Sequence, residues 1–338
     1  MVIIAGPGVA RAVQNQFNTV TDAIGSGTAG ENFYDAVDLP DPQNGTAFAV
    51  YSEDDHSLMF YKRRGVPKVG DMFNYRRASA IYMGIETDTY SGNWPQDNCP
   101  WNGYADAIKL VRIVDDGIKP HSMAYWFCRQ ANCCNFEDLG KIDTSECVSL
   151  ERTFSHSGAF YLPGLEKWNI GNVRSIGCIF DGCTGLTSIS DQIKGWDTSA
   201  VRDCNQAFYG CSQLKFIDLS KWKIIEKETG QAVFWNCQKL EQLDLSGFDF
   251  REASNAWNLF VGCDNLKMVT FGENWRWKGT SCYLPAPSAK YIDGADGKWY
   301  ALSDGKAYRS SEIPVEKADT YFATRAMRDY QAKLHGIG

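Results

Sequence analysis

Six phenylalanines, Phe127, Phe154, Phe180, Phe208, Phe234 and Phe260, follow one another at intervals of 27, 26, 28, 26 and 26 residues. A period in the twenties constrains a chain more than its composition does. Each unit is too short to bury a core alone, and buries one only by stacking on the next copy. Other apolar residues keep step with the anchors. From Phe208, Leu214, Ile217, Leu219 and Trp222 stand at +6, +9, +11 and +14; from Phe234 the same offsets give Leu240, Leu243, Leu245 and Phe248. Phe154 gives Phe160, Pro163, Leu165 and Trp168, and Phe260 gives Leu266, Val269 and Phe271 with Trp275 one place late. Phe180 gives Leu186 and Ile189 with Trp196 two places late, and Phe127 opens a looser copy with Cys133, Phe136, Leu139 and Ile142.

Within each unit, "LKFIDL", "LEQLDL" and "LKMVTF" alternate apolar and polar residues, the pattern of a strand with one face turned inward. Six such strands stacked at about 4.8 Å would make a parallel ribbon on the order of 25 Å long. The returning segment "TSAVRDCNQAF" opens on Thr198 and Ser199 as N-caps and sets Val201, Cys204 and Phe208 at helical spacing. That spacing predicts a short helix on the opposite side.

The unit "WDTSAVRDCNQAFYGCSQLKFIDLSKW" resembles the repeats of the BspA-like leucine-rich repeat surface proteins, and the segments at 46–73 and 283–314 are similar to those that flank the repeats in that family. The resemblance implies adhesion or surface recognition without catalysis. Such repeats also occur in phage and prophage structural genes. The fold class expected is α+β: a leucine-rich-repeat-like solenoid of six units at 116–279, flanked by a β-rich N-terminal domain at 31–115 and a β-hairpin cap at 280–320. A helical tail is expected at 321–338 and an amphipathic helix at 1–30.

That first helix rests on Val9, Val13, Phe17, Val20 and Ile24, which lie 4, 4, 3 and 4 residues apart between Pro7 and Gly25. Such a stripe buries one helix face. Two readings stand: a helix docked on its own β-domain, or an intermolecular helix that oligomerises the chain or plugs it into a virion scaffold. The sequence as written has neither the basic n-region nor the apolar h-region of a signal peptide, and no run long and apolar enough to cross a bilayer. It reads as a cytoplasmically made product. A formal net charge of −7 without any Lys/Arg-rich block argues against a nucleic-acid partner.

Residues that carry chemistry elsewhere are here locked to the repeat. Of the twelve cysteines, Cys183, Cys211, Cys237 and Cys263 each sit three places after an anchor phenylalanine. That recurrence reads as a small buried thiol required by packing, with disulfides between neighbouring coils as the alternative. Cys128, Cys133, Cys134, Cys147 and His156 form the least regular group but lack a zinc-type Cys pair. Asp293, Asp296 and Asp304 lie among glycines without EF-hand spacing, and read as hairpin turns. No nucleophile, Walker or metalloprotease motif is present. No catalytic residue, metal ligand or cofactor is therefore assigned; a hydrolase using an irregular cysteine is the remaining enzymatic alternative.

Trp168, Trp196, Trp222 and Phe248 share one repeat position, as a core ladder or an exposed glycan-binding ridge. Residues 86–104, with Trp94, Trp101 and Tyr104, form a turn-rich loop that either binds or caps the first coil. The strongest binding candidates are the positions that the repeat leaves free: Lys215, Phe216 and Asp218; Glu241, Gln242 and Asp244; Lys267, Met268 and Thr270. A variable face over a constant scaffold is the form of a recognition surface, and also of a merely solvated one. The resulting expectation is a phage fibre or decoration protein on the virion surface, attached to a capsid or tail protein through residues 1–30. Its solenoid would face a host or environmental surface protein or glycan. A homo-oligomer, or a bacterial cell-surface adhesin, are the other forms this expectation takes.

Overall fold

The computed structural model describes residues 40–87, 101–224, 230–251, 256–277 and 282–337. The stripe Val9, Val13, Phe17, Val20 and Ile24 lies outside them. The described chain is a right-through stack of six rungs, one per anchor phenylalanine, with a β-sheet closing each end. The anchors form the spine: successive rings from Phe127 to Phe260 stack at 5.3 to 6.0 Å. Each ring covers the next, so every rung is buried by its neighbours rather than by itself.

At the N-terminal end, β1 (Thr46–Ser52) and β2 (Ser57–Arg63) form an antiparallel hairpin, with β5 (Ala80–Met83) on its outer edge. β6 (Leu110–Ile113) pairs parallel with β2, and β7 (Asn135–Glu137), the strand of the first rung, pairs parallel with β6. Alternate side chains of the hairpin enter two cores. Ala47, Ala49, Tyr51, Leu58 and Phe60 join the solenoid core, and Phe48, Val50, Met59 and Tyr61 pack under the small hairpin β3 (Met72–Phe73) and β4 (Arg76–Arg77).

At the other end, β8 (Phe216–Asp218), β9 (Gln242–Leu245) and β10 (Met268–Phe271) run parallel in register. The C-terminal strand β13 (Asp319–Phe322) then adds antiparallel to β10, with β11 (Trp299–Ala301) and β12 (Ala307–Tyr308) beyond it. Thr324 caps a ten-residue helix, Arg325–Leu334, accepting the Met327 N–H at 3.2 Å.

The chain is mostly β, and two expectations fall. Among the described residues no helix forms on the return side. Each anchor is bracketed by residues of positive φ: Tyr125, Arg152, Cys178, Gln206, Ala232 and Asn258 two places before, and Arg129, His156, Gly182, Gly210, Asn236 and Gly262 two places after. Left-handed residues at both positions stop any helix and turn the intervening N–H groups toward the next rung. Phe154 donates to Ile179, Phe180 to Ala207 and Phe208 to Val233. Thr198, expected as an N-cap, instead accepts the Lys223 N–H at 2.7 Å. The repeating solenoid stands; the helical return of a leucine-rich repeat does not.

Nor is the strand ribbon continuous. Pro163 occupies the slot that Phe136, Ile189, Ile217, Leu243 and Val269 fill in other rungs, and proline has no N–H to give a ladder. Gly164 follows at φ 100°, where a Cβ would overlap the Gly140 nitrogen. The second rung has no strand and turns through Leu165–Lys167, as the first does through Leu139–Lys141, and the third turns through a single helical turn, α1 (Ser190–Ile193). Phe160, expected to point inward, is displaced outward and is 57% exposed, while Ala159 and Leu162 fill the core.

Candidate functional site

The outward side of the strand ribbon carries the binding candidates, and the structure divides them. Asp218 and Asp244 face outward but are occupied: each Oδ1 accepts both the N–H and the hydroxyl of the serine two places on, Ser220 or Ser246, the latter contacts at 2.6 Å. Asp218 ends its strand, and burial, which would raise its carboxyl, is outweighed by the Ser220 hydrogen bonds, so its pKa is lowered. Thr270 bonds the Thr320 hydroxyl of β13 at 3.0 Å. Lys267 and Glu241 pair with each other at 2.9 Å. Met268 is half-buried.

Lys215, Phe216 and Gln242 remain exposed, Phe216 and Gln242 paired across β8 and β9 and Lys215 just before β8. Phe216 is 40% exposed, a large apolar ring with no core role. Two rungs earlier, on the same side, lie Phe160 and Tyr161, at 57% and 49% exposure. Sequence reading missed Tyr161 and misplaced Phe160. The signal was present in Pro163–Gly164, which breaks the pattern that the other rungs keep. The broken ribbon thus presents three exposed aromatic rings and a lysine, Phe160 and Tyr161 on the rung that breaks the repeat and Lys215 and Phe216 on one that keeps it.

The other constellations resolve into structure. The thiols of Cys183, Cys211, Cys237 and Cys263 are fully buried and donate to the carbonyls of Phe154, Phe180, Phe208 and Phe234 at 2.9 to 3.1 Å. In these four rungs the position is filled by a small, soft group that still donates weakly, as a thiol does; in the first two rungs it is Gln130 and Ser157. Burial raises the Cys183, Cys211 and Cys237 pKa values, against thiolate formation. Cys133 and Cys178 are pushed up to about 12 and Cys147 to about 11 by the same cause. All described cysteines are free thiols, with Cys134 exposed.

The proposed aromatic ridge is a buried spine. Trp168, Trp196 and Trp222 stack at 6.2 Å, and their indole N–H groups donate to Leu139, Leu165 and Ile193 carbonyls of the preceding rung. A glycan has no access to it. Trp101 is buried as well, and its Nε1 donates to the Trp126 carbonyl, so this part of the 86–104 loop caps the first coil. Asp296 and Asp304 serve turns, accepting from Lys298 and Tyr300 and from Lys306 and Tyr308. Among the described residues no group of three or more His, Cys, Asp or Glu is placed to hold a metal.

One grouping was not foreseen. Ser155, His156 and Asp181 meet on the return side, with Ser155 Oγ 3.0 Å from His156 Nδ1 and 3.2 Å from Asp181 Oδ2. A hydrolytic relay uses both imidazole nitrogens, one for the acid and one for the hydroxyl. Here the carboxylate, at 3.7 Å, and the hydroxyl face the same nitrogen, and Ser155 is itself buried. Burial raises the Asp181 carboxyl, with His156, Ser155 and Arg152 pulling it back. The set holds adjacent rungs together. A polar cavity of ≈ 550 Å³ lies where the N-terminal sheet meets the first rungs, between Lys62, Glu86, Lys119, Asp143 and Glu146. Its charges answer one another: Lys62 binds Glu86 and Lys119 binds Asp143.

Two overlapping stretches, residues 121–246 and 148–275, match the family model described as a Mycoplasma protein of unknown function, DUF285. They cover the rungs on which the resemblance to BspA-like proteins rests. No curated protein and no solved structure matches the chain.

Proposed function

We propose that this chain is a non-enzymatic surface protein that recognises a ligand with the strand side of its solenoid. The observation that carries this reading is the contrast on single rungs between residues locked to the repeat and the exposed Phe160, Tyr161, Lys215, Phe216 and Gln242 beside them. The family match over the same rungs supports a repeat protein of the surface class. The finer form of the proposal is a phage fibre or decoration protein, attached through residues 1–30 and turned toward a host surface protein or glycan. Display on a bacterial cell surface is the competing form.

The test is a glycan array and a host-cell binding assay with the intact chain and its Phe160→Ala, Tyr161→Ala, Phe216→Ala triple variant. A loss of binding of roughly tenfold or more with an unchanged melting temperature supports the surface; equal binding by the variant overturns it. The non-enzymatic part is tested by iodoacetamide. Cys134, exposed, should react first; a buried thiol reacting faster than Cys134 would point to an activated nucleophile.

A further inference from the structure

The return ribbon is directional. At each of the five steps between rungs, the N–H groups two before, at, and two after the anchor phenylalanine donate to the next rung. Tyr125, Phe127 and Arg129 donate to Glu151, Thr153 and Ser155, and the pattern repeats until Ala232, Phe234 and Asn236 donate to Trp257, Leu259 and Val261. Donors therefore face the C-terminal end of the solenoid and acceptors its N-terminal end. In the sixth rung the equivalent donors are Asn258, Phe260 and Gly262, and none has an acceptor among the described residues. Asn258 and Gly262 keep the left-handed φ of the earlier rungs, 56° and 78°, so the donors are aimed as theirs are. The strand side at this same end is closed by β13 on β10. Trp257 precedes the three donors and Leu259 and Val261 alternate with them, and Trp257 and Val261 are exposed.

We propose that this edge docks an extended segment of a different protein, which offers a row of backbone carbonyls in the place of a seventh rung. The mode is strand addition, with the main chain giving affinity and alternate side chains giving specificity. Two copies of this chain cannot share the edge face to face, because donors would meet donors. A head-to-tail copy would need the acceptors of the first rung, and the central one, the Trp126 carbonyl, already takes the Trp101 indole N–H and the Gln130 amide. The segment that fits carries carbonyls at two-residue intervals and apolar side chains that cover Trp257 and Val261.

The full chain is studied by amide exchange, alone and with a blocked synthetic peptide of its own residues 230–237, whose Gln231, Val233 and Trp235 carbonyls serve this role inside the solenoid. In the free chain the Asn258, Phe260 and Gly262 amides should exchange roughly tenfold or more faster than those of Ala232, Phe234 and Asn236. At about 1 mM, peptide should slow those three, and a Val261→Lys variant with unchanged melting temperature should weaken the effect. Equal protection of both sets in the free chain means that its own residues close the edge, and overturns the proposal. Exchange unaltered by peptide overturns it too, and so does a homodimer that protects the same three amides.

Discussion

On the strand side of the solenoid, β7 joins the first rung to the N-terminal sheet and β8 through β10 join the last three rungs; between them lie a proline, a single helical turn and one isolated parallel bridge, Ser188 to Phe216. On the return side all five steps carry the same three backbone bonds, held by residues of positive φ at the same two places in every rung. The difference is one of tolerance. Where the backbone itself is the repeat, a unit cannot vary without losing bonds to both neighbours. Where the phenylalanine and tryptophan spines carry the stack from beneath, the strand above can be broken and its outward residues replaced. Recognition belongs on the side that can change.

The largest expected effect strikes the spine that both sides share. Phe208 is fully buried between Phe180 and Phe234, and Phe208→Ala should cost about 3–5 kcal/mol in denaturant unfolding. A cost below that of an ordinary surface change would mean the rungs do not rest on the ring stack. A smaller effect separates the two sides through glycine. Gly210 holds φ 67° on the return side, with only ordinary contacts awaiting a Cβ, so Gly210→Ala isolates backbone strain at about 1–2 kcal/mol. Gly195, beside α1, has open space and no such φ; Gly195→Ala should be neutral or stabilise by up to about 1 kcal/mol. Equal costs at the two glycines would erase the distinction drawn between the sides.

The period, the anchors and the inward residues of rungs four to six were legible because each obeys a rule that recurs: one apolar ring per unit and alternation in the strand. The return conformation was not legible. Val201, Cys204 and Phe208 have helical spacing, but tertiary bonding sets the backbone, and non-glycine residues such as Arg152, Cys178 and Gln206 accept positive φ that their types do not announce. The candidate site was legible in part. Phe216 and Lys215 stood out as unlocked, whereas Asp218 and Asp244 looked free only because the serine two residues on was not read as their partner. Tyr161 was hidden by a register that Pro163 interrupts.

Acid should act in opposite senses on the two sides. Asp181, on the return side, has a raised folded-state pKa, so protonation favours the fold. Its contribution is complete below the unfolded value of about 4 and is lost as pH rises through the folded one. Asp218, on the strand side, has a lowered pKa, so its contribution is present above about pH 4 and lost as pH falls through the folded value. Thermal melts between pH 3 and 8 should show Asp181→Asn gaining stability at neutral pH and the gain vanishing in acid. Asp218→Asn should lose stability at neutral pH and rejoin the parent in acid. The same sign for both would show that the Arg152 and His156 contacts outweigh the burial of Asp181.

The smallest expected change in stability falls on the residue with most to do. Phe216 lies eight positions after Phe208 on one rung, the same side chain in the opposite setting: its ring is 40% exposed and has no ring stacked on it among the described residues. Phe216→Ala removes no buried contact set and should move the unfolding free energy by no more than about 0.5 kcal/mol. A free-standing phenylalanine on the surface needs no explanation by itself. Its setting beside Lys215 and Gln242, with Phe160 and Tyr161 where the ribbon breaks, does. If the proposed surface is the recognition site, Phe216→Ala should weaken ligand binding while leaving the melt unchanged, and Phe208→Ala should do the reverse at temperatures where it stays folded. A Phe216→Ala protein that melts several degrees lower would instead place this ring in the scaffold, and leave the exposed pair on the second rung to carry recognition alone.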